Sequence, residues 1–197
     1  MQLNPPKKAE MFFPWLKNES EKFWKSIKIN SGIYGFQIQK DTKWNHGLSD
    51  SQIEAFEKDL GFKFPEIYKL FLKTMDGTNE PAVNIYGESG EPYAYSPAYY
   101  SYPRDLKIIK EMINWICESF NIKVGDIDGD KISFIIPIVS HRFLIVDKSG
   151  KNPVLSMYGD DVIPYASSLK TFLVDDIFNN GTQEDNLRDI SVDFWLK

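Results

Sequence analysis

The residues with the most potential for chemistry are His46, His141 and Cys117, the only histidines and the only cysteine of the chain. His46 lies close to Trp44, where it would pack on the indole or cap a turn. His141 lies at the start of a predicted strand, where a hydrogen bond to a backbone carbonyl is the first expectation and a partner contact the second. Acid–base catalysis by His141 comes last, because no matching nucleophile is visible. Cys117 falls on the apolar face of a predicted helix, which favours a small core residue over a nucleophile.

Three aspartates at alternate positions, Asp126, Asp128 and Asp130, are similar to the start of a calcium-binding EF-hand loop. The match fails further on, because Lys131 stands where that loop requires glycine and Pro137 stands where it requires the closing carboxylate. The first interpretation is therefore an acidic hairpin turn at Asp128-Gly129. The alternative is an acidic loop that faces a basic partner.

Other catalytic motifs are missing from the sequence. Asp41-Thr42-Lys43 has a spacing found in some nucleases, but no second metal-binding acid accompanies it. Gly87-Glu88-Ser89-Gly90 has the wrong spacing for a nucleophile elbow, and no phosphate-binding or dinucleotide-binding glycine motif occurs. One cysteine and two separated histidines give neither a zinc motif nor a disulfide framework. We expect no cofactor, no metal and no enzymatic activity.

The bulk composition predicts a globular, acidic protein with many aromatic residues. The 197 residues are 42% hydrophobic, 26% charged and 15% aromatic, which favours one domain and leaves some aromatic side chains for an interface. The net charge of −5 weighs against direct nucleic-acid binding and favours a basic protein partner. No signal-like segment and no apolar run of roughly 18 residues occurs. Together with the single cysteine, this predicts a cytoplasmic protein without membrane contact. The oligomeric state is left open.

The strongest local signal predicts two helices joined by a tight connection. Ser49 is a good N-cap, and Gln52 completes a capping box three residues later. Gly61 supplies a left-handed stop, and Pro65 is well placed as the first residue of the second helix.

The remaining pattern predicts helices first, neighbouring strands next and helices last. This order indicates an α+β domain in which the capped N-terminal helices pack on one face of a mostly antiparallel sheet and C-terminal helices follow. The other predicted elements are a helix over the later part of 12–27, strands at 32–39, 81–86, 132–136, 142–146, 153–158 and 162–165, a tyrosine-rich loop at 87–102, and helices after Pro103, over 169–178 and over 183–195.

Two segments of the chain resemble the SUKH superfamily (Smi/Knr-type). Residues 47–72 combine a capped Glu-rich helix, the pair Leu60-Gly61 and the helix start Phe64-Pro65-Glu66-Ile67-Tyr68, and Asp76-Gly77 stands where the family commonly has Asn-Gly. Residues 136–169 resemble the sheet half of bacterial members.

The resemblance implies a domain organisation but no catalytic residue. It implies a Smi/Knr-type domain at 44–178 with an insertion around 87–125. A helical and strand-forming extension at 1–43 precedes that domain, and an acidic C-terminal helix at 179–197 follows it.

The resemblance also implies a binding role. Bacterial members usually act as immunity proteins that neutralise a toxin, in some cases a nuclease, and fungal members are regulatory. Our leading hypothesis is a non-enzymatic immunity protein that binds a basic toxin domain. The alternatives are a regulatory interaction module linked to cell-wall synthesis or signalling and, last, a hydrolase that uses His141. The candidate partner contacts are tyrosines and carboxylates, namely Tyr93, Tyr95, Tyr99, Tyr100, Asp126, Asp128, Asp130, Asp160 and Asp161.

Overall fold

Five α-helices and six strands form the regular structure of the computed structural model, which describes residues 3–88, 91–147, 150–178 and 187–196. Two short 3₁₀ turns, Val124–Asp126 and Leu187–Asp189, accompany them. The elements in chain order are α1 (Ala9–Trp24), α2 (Asp50–Leu60), α3 (Glu66–Thr74), β1 (Ala82–Asn84), β2 (Ala94–Ser96), α4 (Leu106–Ser119), β3 (Phe134–Val139), β4 (Arg142–Val146), β5 (Val154–Tyr158), β6 (Asp161–Ala166) and α5 (Leu169–Phe178).

Helix α2 begins and ends as the sequence predicts. The Ser49 hydroxyl accepts a hydrogen bond from the Gln52 amide, and the Gln52 side chain accepts one from the Ser49 amide. Gly61 ends the helix with a φ of 84°, which glycine adopts without steric cost. Pro65 is the residue just before α3 rather than its first residue.

The main sheet contains four antiparallel strands in the order β3-β4-β5-β6. The four strands predicted after Lys131 are confirmed, although the first begins at Phe134 rather than at Ile132. Helices α1 to α4 precede these strands along the chain and α5 follows them, which confirms the α+β class. Three consecutive residues of β4, Phe143, Leu144 and Ile145, are fully buried. Since successive side chains point to opposite faces, β4 is covered on both faces.

A second, small sheet differs from the sequence-based expectation. The predicted strand at 32–39 is wrong except at Gln37, which forms an isolated bridge to Val83 of β1. Gly35, with a φ of 97°, turns the chain just before that bridge. The predicted loop at 87–102 contains strand β2, because Ala94–Ser96 pairs antiparallel with β1 despite the flanking prolines.

The predicted helix over 183–195 is wrong for the residues that the structure describes there, and its first part, 183–186, lies outside them. From 187 to 196 the chain forms only the 3₁₀ turn Leu187–Asp189 and an irregular segment. Phe194 has a φ of 70°, which interrupts any helix. The Trp195 indole is buried and donates a hydrogen bond to the Ser133 carbonyl at 2.8 Å. Burial of Trp195 therefore fixes this segment against the main sheet.

Helix α1 packs against Trp44 in the segment before α2. Trp24 and Trp44 are buried with their ring centroids 5.3 Å apart, and the Trp44 indole donates to the Ser20 hydroxyl at 2.7 Å.

Within the described ranges, no helix is both long enough and apolar enough to cross a membrane.

Candidate partner-binding surface

Several exposed apolar side chains lie in the segments that form the small sheet. Two of the tyrosines predicted as partner contacts are among them: Tyr93 is 58% exposed and Tyr95 is 62% exposed. Tyr34, Phe36 and Tyr86 are exposed as well, and the rings of Tyr34 and Tyr86 stack with their centroids 4.1 Å apart. We call these five residues the aromatic surface. Exposed apolar side chains grouped on neighbouring segments favour an interaction site.

Hydrogen bonds hold the two chain segments of the aromatic surface together. Within the first segment, the Gln37 side chain accepts from the Asn30 amide at 2.8 Å and donates to the Asn30 carbonyl at 3.0 Å. The Gln37 backbone exchanges two hydrogen bonds with Val83 of β1, each at 2.9 Å. The Tyr86 hydroxyl donates to the carbonyl of Ser31. Gln37 and Tyr95 both lie opposite Val83, so their side chains share one face of the small sheet. The segment around Asn30 therefore covers this face and brings Tyr34 to it.

Within the two segments that form the aromatic surface the only charges are negative, and the exposed Lys28 and Lys40 lie directly at the ends of the first segment. Residues 29–39 contain no charged side chain, and residues 80–97 contain Glu80, Glu88 and Glu91 but no lysine, arginine or histidine. All three glutamates are exposed. Such a surface attracts a basic partner and disfavours an acidic one.

The other two candidate tyrosines, Tyr99 and Tyr100, lie in the core and not on a surface. Tyr99 is 1% exposed and Tyr100 is 9% exposed. Burial raises the pKa of Tyr100 to about 12, and its hydroxyl donates to the Ser140 carbonyl. The prediction of direct partner contacts by these two residues is corrected here, because the chain from 97 to 101 packs against the interior.

Tyr99 takes part in an internal polar network. Its hydroxyl donates to the carboxylate of Asp176 on α5. Burial raises the pKa of Asp176, although the Tyr99 hydrogen bond and the Arg142 charge both oppose that rise. The Arg142 guanidinium lies 4.0 Å from the centre of the Tyr165 ring and donates to the Ser156 hydroxyl at 2.8 Å. The network therefore fixes the segment around Tyr99 to α5.

The carboxylates at 126–130 form turns before β3. One oxygen of Asp128 accepts hydrogen bonds from the amides of Asp130, Lys131 and Ile132. These hydrogen bonds lower the pKa of Asp128, and the bond from the Ile132 amide has the largest effect. Asp126 accepts from the Lys123 amide at 2.7 Å. All three aspartates are exposed. The chain turns at Asp128-Gly129 as predicted, but the turn is not a hairpin, because a 3₁₀ turn and not a strand precedes it.

Asp160 and Asp161 are exposed at the turn between β5 and β6. Beside them Tyr158 is 67% exposed, and its ring meets that of Trp115 edge-on at 5.2 Å. The start of β3 and the β5–β6 turn lie at opposite ends of the antiparallel sheet, on opposite edge strands. The fold therefore does not bring Asp160 and Asp161 together with Asp126, Asp128 and Asp130.

The scaffold that carries these surfaces matches a known family. A model of the SMI1/KNR4 family (SUKH-1) matches residues 47–175, well over half of the chain. The chain belongs to the SMI1/KNR4 family. No curated protein was found to match it. Within the aromatic surface, Tyr86, Tyr93 and Tyr95 lie inside the family match, whereas Tyr34 and Phe36 precede it.

The residues typical of the SMI1/KNR4 domain are structural in this chain. Glu57 is 4% exposed and accepts from the Phe64 amide at 2.8 Å and from Lys63 at 2.6 Å. Although burial raises the pKa of Glu57, these hydrogen bonds and the charge of Lys69 lower it overall. Asp76 is buried and accepts from the Ser101 hydroxyl at 2.7 Å. Glu57 therefore fixes the end of α2 to the link before α3, and Asp76 fixes the turn after α3 to the segment around Ser101.

The residues first considered for chemistry do not form a reactive set. Cys117 is buried, and burial raises its pKa to about 11, which leaves a protonated thiol. His46 is exposed. His141 lies 3.1 Å from the Ser140 hydroxyl, and burial and the neighbouring Arg142 lower its pKa. Among the described residues, no carboxylate contact orients the His141 ring and no cluster of three potential metal ligands occurs.

Two depressions lie away from the aromatic surface. One, of about 570 Å³, is bordered by the Asp128 turn, the start of β5 and the C-terminal segment. The other, of about 370 Å³, is an apolar groove between the end of α2, α4 and the start of β3. His141 and Cys117 line neither of them.

The sequence pattern does not identify Tyr34, Phe36 and Tyr86 as surface residues. Tyr34 and Phe36 fall in the predicted strand at 32–39, for which the pattern defines no buried face. A usable signal was present, since an uncharged run of eleven residues, 29–39, contains three glycine or serine positions beside large apolar ones. A run that cannot form a regular strand and is also uncharged favours a recognition loop.

Proposed function

We propose that this chain is a cytoplasmic, non-enzymatic immunity protein that neutralises a basic toxin domain by binding it directly. The observation that carries the proposal is the aromatic surface, whose only charged neighbours in the two segments that form it are glutamates. Aromatic residues contribute large contact areas and dominate interface hot spots. Membership of the SMI1/KNR4 family supports a protein-binding role.

The aromatic surface is favoured over the acidic turns for a physical reason. The Asp128 carboxylate already accepts three backbone hydrogen bonds within its own turn. In contrast, Tyr93 and Tyr95 expose more than half of their area and have no ring contact with another aromatic side chain in the described part of the chain. Burying them against a partner releases water from apolar area, which stabilises the complex.

Co-expression with a toxin tests the proposal. The toxin domain is the one encoded beside this chain in its genome, produced from an inducible promoter in a host that it arrests. We expect the wild-type chain to restore growth and a Tyr93→Ala, Tyr95→Ala double variant to lose most of that protection. Met11→Ala, at an exposed position of α1, should protect like wild type.

A fourth variant separates the two candidate surfaces. Tyr158→Ala removes an exposed tyrosine of similar exposure beside Asp160 and Asp161. If Tyr158→Ala alone abolishes protection, the toxin binds the β5–β6 turn and not the aromatic surface. If the wild-type chain never restores growth, the immunity function itself is contradicted.

A further inference from the structure

One edge of the small sheet has backbone groups without a partner. Val83 exchanges both of its backbone hydrogen bonds with Gln37, each at 2.9 Å. Tyr95 lies opposite Val83 on the other side. Since Val83 directs its amide and carbonyl toward Gln37, the Val83–Tyr95 pair is not hydrogen-bonded. The amide and carbonyl of Tyr95 therefore point away from β1, to the outer edge of β2.

The outer edge of β2 is short and chemically defined. Within the described ranges, β2 pairs only with β1, and no hydrogen bond reaches the backbone of Tyr95 from outside that pair. Pro92 and Pro97, which have no amide hydrogen, flank the exposed stretch. Short edges bounded by proline resist unspecific strand addition. The backbone of Tyr93 and Tyr95 remains as a donor and acceptor row for one matched segment.

Charge decides which segment fits this edge. Glu88 and Glu91 are exposed just before β2, and Glu80 is exposed just before β1. A second copy of the chain carries the same glutamates and the same net charge of −5, which disfavours its approach to this edge. A basic segment would neutralise them, and its backbone would complete the ladder.

We infer that an extended segment of a basic protein adds to β2 as a further strand, with its backbone paired to Tyr93 and Tyr95 and its lysine or arginine side chains beside Glu88 and Glu91. This inference rests on the proposed function for the identity of the partner, but the edge itself is a property of this chain. Strand addition supplies affinity through backbone hydrogen bonds, while the two tyrosine side chains select the residues that alternate along the partner segment.

A pair of variants separates the backbone from the side chain. Tyr95→Pro removes the outward amide hydrogen, which β1 does not use, and Tyr95→Ala removes the same ring but keeps that hydrogen. The probe is the synthetic peptide Lys-Thr-Lys-Val-Lys-Thr-Lys, with its glutamate counterpart as the charge control. Amide hydrogen exchange and nitrogen-15 NMR shifts of the full chain report pairing at Tyr93 and Tyr95, and circular dichroism verifies the fold of each variant.

We expect the lysine peptide to protect the amides of Tyr93 and Tyr95 and the glutamate peptide to leave them unprotected. Tyr95→Pro should weaken peptide binding about tenfold more than Tyr95→Ala does. Equal effects of the two variants, or equal binding of the two peptides, would overturn the inference. So would a concentration-dependent dimer that Tyr95→Pro abolishes, because the occupant would then be a second copy.

The same variants distinguish this inference from the proposed function. If Tyr95→Pro protects against the toxin as well as wild type does, strand addition is wrong and the immunity function stands. If the wild-type chain neutralises no toxin but its β2 edge pairs with the lysine peptide, the immunity function is wrong and strand addition stands.

Discussion

At the scale of single residues, a buried carboxylate fixes the turn after α3. Asp76 follows α3 and accepts hydrogen bonds from the Ser101 hydroxyl and the Tyr102 amide, so it ties this turn to the segment before α4. Burial raises the pKa of Asp76 to about 6, against the lowering effect of those hydrogen bonds and of Arg104. Asp76 therefore binds a proton more readily in the folded chain than in the unfolded one.

The raised pKa of Asp76 predicts a pH effect with a definite sign. A carboxyl whose pKa rises from 3.8 to about 6 on folding stabilises the protein below its unfolded pKa and loses that contribution as the pH rises through 6. Relative to Asp76→Asn, which does not titrate, the wild type should gain about 2 kcal/mol between pH 7 and pH 4. Urea unfolding of both proteins across this range measures the difference. Parallel stability curves would show that Asp76 has an ordinary pKa.

At the scale of elements, the packing of α2 against α3 depends on a close approach between the backbone before α2 and the backbone at the end of α3. The Leu48 amide donates to the Leu72 carbonyl at 2.8 Å, which brings the start of α2 against the end of α3. A Cβ atom on Gly47 would lie 1.9 Å from the Lys73 carbonyl oxygen. Glycine is therefore required at 47 for contact rather than for its own φ.

We predict that Gly47→Ala destabilises the fold by about 2 kcal/mol or more, because the backbone of α3 must shift to admit the methyl group. Gly125→Ala is the matched control, since a Cβ atom there meets nothing within 4 Å. Chemical unfolding of the two variants gives the comparison. A Gly47→Ala variant as stable as Gly125→Ala would mean that α3 moves without cost.

The same elements show what the sequence could predict. The capping box at Ser49, the stop at Gly61 and the apolar β-branched strands after Lys131 were predictable, because each depends on local geometry or on a regular pattern. Strand β2 was not, because its only support is pairing with β1 across a loop rich in proline and glycine. The orientation of Tyr99 was missed for a related reason, since its partner Asp176 lies 77 positions along the chain.

At the scale of the whole molecule, the aromatic surface joins two parts of the chain. Tyr34 and Phe36 precede the segment that matches the SMI1/KNR4 family, whereas Tyr93 and Tyr95 belong to it. The backbone bonds between Gln37 and Val83 and the bond from the Tyr86 hydroxyl to the Ser31 carbonyl hold the preceding segment onto the family domain. We infer that the segment before residue 47 adds partner selectivity to a shared scaffold, since it supplies two of the five aromatic side chains.

Net charge predicts how the chain meets its partner. With a net charge of −5 and three glutamates in the segments that form the aromatic surface, association with a basic toxin domain should be accelerated by long-range attraction. Raising the ionic strength shortens the range of that attraction, so the association rate constant should fall about tenfold between low and high salt. The dissociation rate constant should change much less, because the buried aromatic contacts are insensitive to salt.

The position of the charge, and not only its sum, should control this rate. Glu88→Lys and Glu54→Lys change the net charge equally, and both positions are exposed, but Glu54 lies on α2, outside the two segments that form the aromatic surface. We expect Glu88→Lys to slow association and flatten its salt dependence, while Glu54→Lys leaves both close to wild type. Stopped-flow association at several salt concentrations measures both slopes. Identical slopes for the two variants would mean that the partner responds to the charge of the whole chain and approaches another surface.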